Sequence, residues 1–293
     1  MTVVSLKHLS SVIYQLSSIN MLTFPNCKIN LGLNILRKRE DGFHDIETVF
    51  YPIQLLDALE LIQPANDNIA LEFNCTGLPI EGKEEDNLCI KAYRLLKKDH
   101  PQLPAIKMHL HKAIPLGAGL GGGSADAAFL LKLLDEKFSL SLSAEQLHNY
   151  ALQLGSDCPF FIINKPCFAS GRGEMLEELN INLSSYKIFL VNPGIHINTG
   201  WAFSQLVASV PQKNIKTIIQ QAVETWKNDL VNDFEVPIFS SYPQIKNIKD
   251  ELYQQGAVYA AMSGSGSTVF GLFRSIPPAS LFSDKNYFIK IIS

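Results

Sequence analysis

Ile114 to Phe138 reads "IPLGAGLGGGSADAAFLLKLLDEKF", with five glycines in the seven positions from Gly117 to Gly123, directly before an amphipathic stretch. Ala127, Leu130, Leu131, Leu134 and Phe138 recur at helical spacing, which predicts a helix from about Ser124. Just upstream, "AIKMHLHKAI" alternates and stops at Pro115, which predicts a strand. A strand, a glycine-rich turn and a helix in that order point free backbone N–H groups and the positive end of the helix dipole at one spot. That is a cradle for an anion such as phosphate.

Two common nucleotide motifs fit this stretch incompletely. Gly117, Gly119 and Gly122 satisfy G-x-G-x-x-G, but the dinucleotide template then requires a second parallel strand ending in an acid. Here a second helix follows, "SAEQLHNYALQLG", capped by Ser143 and stopped by Gly155. Gly117 to Ser124 also fits the P-loop pattern, except that Gly123 stands where the lysine belongs. The cradle must therefore draw its positive side chain from elsewhere.

"CKINLGLNIL" alternates as a strand that puts Lys28 and Asn30 on one face. After the turn at Asp41-Gly42, "IETVFYPIQLLDALEL" and "IALEFNC" read as further strands, and "EEDNLCIKAYRLLKKDHP" as a helix capped by Asp86 or Asn87. Strands are expected again at "PCFASGRGEMLEEL" and "YKIFLVNPG", helices at "NIKTIIQQAVETWKN" and "YPQIKNIKDELYQQ", and a strand–turn–strand unit at "AAMSGSGSTVFGLF". The pattern is α+β. It divides into residues 1–20 as an N-terminal extension ahead of Met21, a nucleotide-binding domain over 21–165 and a C-terminal domain over 166–293.

The 293 residues are 46% apolar, enough for two cores, and 25 basic against 28 acidic residues leave a net charge of −3. No basic-aromatic stripe tracks a nucleic-acid backbone, and no apolar run reaches the ~18 residues that a membrane span needs. The five cysteines form no C-x-x-C pair, which points to reduced thiols and a cytoplasmic protein. His109 and His111 share one strand face without the further ligands that a metal requires.

Pro115-Leu116-Gly117-Ala118-Gly119-Leu120-Gly121-Gly122-Gly123-Ser124 resembles the phosphate loop of the GHMP kinases, the family of galactokinase, homoserine kinase, mevalonate kinase and phosphomevalonate kinase. "CKINLGLNI", "REDGFHDIETVF", "EDNL", "LGSDCPFF" and "SGSGSTVFGLF" extend the likeness from Lys28 to Phe273 in family order. The set is most similar to the branch that phosphorylates a tertiary hydroxyl of a cytidine-diphosphate-linked methylerythritol in non-mevalonate isoprenoid biosynthesis. The resemblance implies an N-terminal domain with a left-handed βαβ unit and a ferredoxin-like C-terminal domain. It implies ATP with Mg²⁺, a small-molecule acceptor and a monomer or weak homodimer.

By the same resemblance, Asp157 is the base that receives the acceptor proton and Lys28 its electrostatic partner. ATP is assigned to Asn87, Lys112 and the loop from Pro115 through Ala125. Ser124 and Asp126 are candidate Mg²⁺ ligands. Asn30, Phe43, His44 and Phe203 are assigned to the acceptor, with Phe43 in place of the family's tyrosine as a face for cytosine. Cys27 replaces an alanine and is read as packing. Gly264 and Gly266 resemble a late turn that closes over the phosphates. The Asp-Gly-Phe-His run separates this branch from homoserine- or mevalonate-type kinases, and intact Lys28 and Asp157 separate an enzyme from a non-catalytic nucleotide sensor.

Overall fold

The structure is a computed structural model and describes residues 21–64, 71–276, 281–282 and 285–292. The expected extension over 1–20 lies outside the described residues.

Two sheets make the N-terminal unit. Strands β1 (Met21–Thr23), β4 (Ala58–Ile62), β6 (Ile106–Lys112) and β5 (Leu71–Gly77) form one, in the order β1-β4-β6-β5. β5 and β6 are parallel and joined through the helix Leu88–Asp99, which is the expected βαβ unit. Strands β2 (Asn26–Lys38) and β3 (His44–Leu56) pair antiparallel in the second sheet. A single residue, Asp57, separates β3 from β4, so it is where the chain leaves one sheet for the other.

The helix after the glycine loop runs Gly122–Phe138 and starts two residues earlier than its sequence suggests. Gly121 takes a left-handed conformation (φ +71°) that opens the helix at once, at little steric cost for glycine. Ala127, Leu130, Leu131 and Leu134 are buried as their spacing predicts, against Leu59, Leu61, Met108 and Leu110 of the first sheet. Each fully buried leucine contributes about 1.5–3 kcal/mol, and Leu131→Ala would cost about 2–5 kcal/mol. The second helix, Ala144–Leu154, has a Ser143–Gln146 capping box at its start and ends at Gly155. A short helix, Cys158–Ile163, then packs Phe160 and Phe161 against Phe50, Ala125 and Ala128.

Strands β7 (Cys167–Ser170) and β8 (Met175–Glu178) follow the expected boundary at residue 165. β7 pairs with β3 and β8 with β7, giving the order β2-β3-β7-β8, so the chain stays in the N-terminal sheet until Glu178. The C-terminal sheet runs β10 (Tyr259–Met262), β11 (Val269–Phe273), β9 (Lys187–Asn192), β12 (Phe288–Ile292), with antiparallel neighbours throughout. That order is the ferredoxin-like one, and the helix Pro243–Gln254 packs Ile245, Ile248 and Leu252 onto it.

The helix expected over "NIKTIIQQAVETWKN" is broken. It becomes helix Ile215–Ile219, a 3₁₀ turn Val223–Thr225 and helix Trp226–Asp229. The Trp226 indole donates to the Gln221 carbonyl at 3.1 Å, while Thr225 N turns to Ala222 O at 2.9 Å. Burying the indole in the core thus takes precedence over helix continuity.

Candidate active site

A cavity of about 950 Å³ opens between the two units, with the glycine loop on one side and an aromatic cluster on the other. Pro115 through Gly119 and Gly121 through Ser124 line it. The cradle is held on both flanks. Lys28 N donates to Leu120 O at 3.0 Å, and Thr268 N donates to Ala118 O at 3.2 Å from the C-terminal unit. Ser263 Oγ donates to Gly119 O at 2.8 Å. Only glycine fits at 119, since a Cβ there would lie 2.0 Å from the Ser263 carbonyl oxygen. With no side-chain cap at Gly121, the first N–H groups of the helix are left for a ligand.

Lys28 reaches the same cavity from β2. It is only 3% exposed, and its ammonium lies 3.5 Å from Asp157 Oδ2. It donates to Asn30 Oδ1 at 2.6 Å and to Gly119 O at 3.2 Å, and sits 4.9 Å from the centre of the Phe50 ring. Asn30 is fixed in turn by donating to Thr48 Oγ1 at 2.9 Å. The shared strand face read from the alternation is therefore a real contact. Asp157 precedes the helix Cys158–Ile163, and its side chain is 36% exposed. A buried ammonium beside a solvent-accessible carboxylate can hold an alcohol oxygen and the charge of a transferring phosphoryl group together.

At the far end, Phe43, His44 and Phe203 line the cavity. The His44 and Phe203 rings stack at 4.7 Å with 15° between planes, and Phe234 closes edge-on behind Phe203. Burial, then the charge of Lys38, holds the His44 imidazole below its usual value, so the ring is neutral near pH 7. Phe43 is half exposed and lies under the Arg172 guanidinium at 4.6 Å. Burial drives the Cys27 thiol well up, which leaves it an inert packing residue.

Several assigned residues sit elsewhere. Lys112 is fully buried between Asp57 and Asp126, with its ammonium bonded to both and turned away from the cavity. Burial opposes its charge, but the two carboxylates raise its proton affinity above the ordinary lysine value. Asp126, 2% exposed, is committed to Lys112 and does not line the cavity, so it is not placed to hold a metal there. Asn87 caps its helix by accepting from Cys89 N at 2.9 Å, and its neighbour Leu88 lines the cavity instead. Leu120 and Ala125 are buried behind the loop.

The sequence reading missed Lys38, Arg172, His196, Asn198, Thr199 and Ser265, all of which line the cavity. The available signals were the Gly-Arg-Gly turn around Arg172 and the Asn198 cap of the helix Thr199–Ser204. Lys28, Lys38 and Arg172 against Asp157 make three cationic side chains to one carboxylate in the lining, which suits polyanionic ligands. Among the described residues no group of three or more His, Cys, Asp or Glu could hold a metal, and no helix is long and apolar enough to cross a membrane.

Residues 87–165 match the model of the GHMP kinases N terminal domain, and residues 205–285 that of the GHMP kinases C terminal domain. The 4-diphosphocytidyl-2-C-methyl-D-erythritol kinase of Bacteroides fragilis is 54% identical over 253 residues, covering 86% of this chain and 92% of that protein. The chain belongs to the GHMP kinase family. It is an ATP-dependent small-molecule kinase.

Other GHMP kinases frame it at greater distance. The kinase of the same name from Chlorobium chlorochromatii is 40% identical, covering 84% of this chain and 86% of that one. A crystal structure of 4-(cytidine 5'-diphospho)-2C-methyl-D-erythritol kinase superposes with a TM-score of 0.78 at 28% identity, covering 93% of this chain and 99% of that one. The mevalonate kinase of Methanococcus jannaschii shares the fold, with a TM-score of 0.68 at 13% identity and coverage of 93% and 98%.

Proposed function

We propose that this GHMP kinase transfers the γ-phosphoryl group of ATP to the tertiary 2-hydroxyl of 4-diphosphocytidyl-2-C-methyl-D-erythritol, in non-mevalonate isoprenoid precursor biosynthesis in the cytoplasm. The observation that carries the reading is one cavity holding the glycine cradle, the Lys28–Asp157 pair and the aromatic cluster of Phe43, His44 and Phe203. The nucleotide phosphates rest on the free N–H groups from Gly121 to Ser124. Cytosine takes the exposed face of Phe43, with His44 and Phe203 beside it. The diphosphate then spans the cationic part of the lining toward Asp157.

Asp157 Oδ2 accepts the hydroxyl proton and aims the acceptor oxygen. In a loose phosphoryl-transfer transition state that alignment outweighs basicity. Lys28 compensates the charge that gathers on the transferred oxygens, and Asn30 keeps its ammonium in place. Among the lining residues, Ser124 and Asp157 carry side-chain oxygens that would hold Mg²⁺, carried in largely on ATP phosphates. When bound, Mg²⁺ supplies neutralisation of phosphate charge. The working unit is a monomer or weak homodimer, with its two domains meeting between residues 178 and 187.

Coupled measurement of ADP release with three acceptors tests this function. Turnover with the cytidylyl substrate alone is expected. Turnover with mevalonate or homoserine instead would overturn it, and ATP binding without any turnover would leave a nucleotide sensor.

A further inference from the structure

Behind the glycine loop lies a closed group of charges that the phosphoryl-transfer reading does not use. Asp57 is 1% exposed, and its two carboxylate oxygens face different parts of the fold. Oδ1 accepts from Ala113 N at 2.6 Å and from Ile114 N at 2.9 Å, the two amides directly before Pro115 and the loop. Oδ2 accepts from the Lys112 ammonium, which also donates at 2.7 Å to Oδ2 of Asp126, the fifth residue of the helix Gly122–Phe138. The other oxygen of Asp126 has no hydrogen-bond partner, so among the carboxylate oxygens of this group those of Asp57 carry most of the bonding.

The group sits tight against the cradle. A Cβ added at Gly122 would lie 2.9 Å from Ile114 Cγ2 and 3.4 Å from Lys112 Nζ. One buried side chain thus fixes where the loop begins, and through Lys112 it fixes where the helix starts. A cradle of backbone N–H groups binds phosphate well only if those groups already converge, because ordering them on binding would consume affinity. Asp57 also directly follows β3, the strand whose other end carries His44.

We propose that Asp57 is the positioning residue of the phosphate loop, holding the two amides that lead into it and, through Lys112 and Asp126, the start of the following helix in the geometry that receives ATP. It rests on the reading of this loop as a nucleotide cradle. Asp57 touches neither ligand.

The test pairs calorimetry using a non-hydrolysable ATP analogue with steady-state kinetics on Asp57→Asn. Losing a buried charged acceptor is expected to raise the analogue's Kd and the KM for ATP about tenfold or more, with the KM for the cytidylyl acceptor unchanged. A lowered melting temperature with both KM values unchanged would mean that Asp57 serves stability alone, and would overturn the proposal. An equal rise in both KM values would overturn it as well.

Hydrogen exchange on the wild-type protein covers the case in which the variant does not fold. The Ala113 and Ile114 amides are expected to be protected without nucleotide and unchanged on adding the analogue. Rapid exchange that slows only when the analogue binds would show a loop ordered by its ligand, and would refute the proposal. If the wild type fails to bind the analogue at all, the nucleotide reading falls and this proposal with it, a result separate from any behaviour of the variant.

Discussion

Two buried lysines flank the glycine loop, one on each side, and their surroundings divide chemistry from architecture. Lys28 faces the cavity with one carboxylate at 3.5 Å, a side-chain amide and a carbonyl. Lys112 faces inward between two carboxylates, and all three side chains are almost wholly removed from solvent. Lys28 thus keeps charge to offer to a ligand, whereas that of Lys112 is consumed within the fold. A P-loop-like turn that lacks its own lysine has two candidates nearby in space, and the partners of each decide which one serves.

The largest effect should come from the cavity side of this comparison. Asp157→Asn is expected to lower kcat by about 10²–10⁴-fold while calorimetry shows binding of an ATP analogue almost unchanged. Retained turnover would remove Asp157 from the role of base. Lys28→Met should cost about 10²–10³-fold in kcat without unfolding the protein, since Asn30 and Asp157 both border the open cavity. Loss of the fold would make Lys28 a second architectural lysine and erase the contrast.

Lys112→Met should behave in the opposite way, leaving two buried carboxylates unpaired and lowering unfolding free energy by about 3–5 kcal/mol in denaturant titration. A stable but inactive variant would mean that Lys112 belongs to the chemistry after all. Phe43→Ala then asks whether the acceptor end is independent of both lysines. Loss of the ring face, worth about 1–3 kcal/mol for a stacked base, should raise the acceptor KM about tenfold or more and leave that for ATP alone. Comparable rises in both would count against the cytosine face.

The smallest effect concerns pH. Burial, with the charge of Asp57 adding to it and Lys112 opposing, pushes the Asp126 carboxyl up to about 7. A carboxyl raised on folding favours the native state at low pH. Its contribution is lost as pH climbs from the ordinary aspartate range through about 7. Melting temperature should therefore decline between roughly pH 4 and pH 7, and Asp126→Asn should flatten that decline. An unchanged slope would show that Asp126 is fully compensated by Lys112.

The loop, its helix and the contact between Lys28 and Asn30 were legible because each rests on a local signal: glycine density, a 3.6-residue stripe, a two-residue alternation. Asp57 was not legible. It lies 55 residues before Lys112 and looks like any turn aspartate until β4 and β6 pair and bury it. Nor does alternation tell a solvent-facing lysine from one 3% exposed, because it reports sides of a strand and not what covers them. The interrupted helix over 215–229 failed for the same reason, since Trp226 takes its direction from a core assembled by distant residues. The pairing of β7 with β3 beyond residue 165 was hidden too, because hydrogen bonds between distant strands set it.

The hold on Gly119 and Ala118 by Ser263 and Thr268 has a consequence for synthesis. Lys28, the loop and Asp157 leave the ribosome first, and the groups that clamp the loop from behind are made later, with the C-terminal unit. The N-terminal half can build its sheets and helices as it emerges, yet its phosphate cradle stays unbraced until the turn at Ser263 folds back onto it. A chain that stops before residue 263 therefore carries Lys28, the loop and Asp157 without the braces that Ser263 and Thr268 give the cradle, so a finished cradle has to wait for the C-terminal unit.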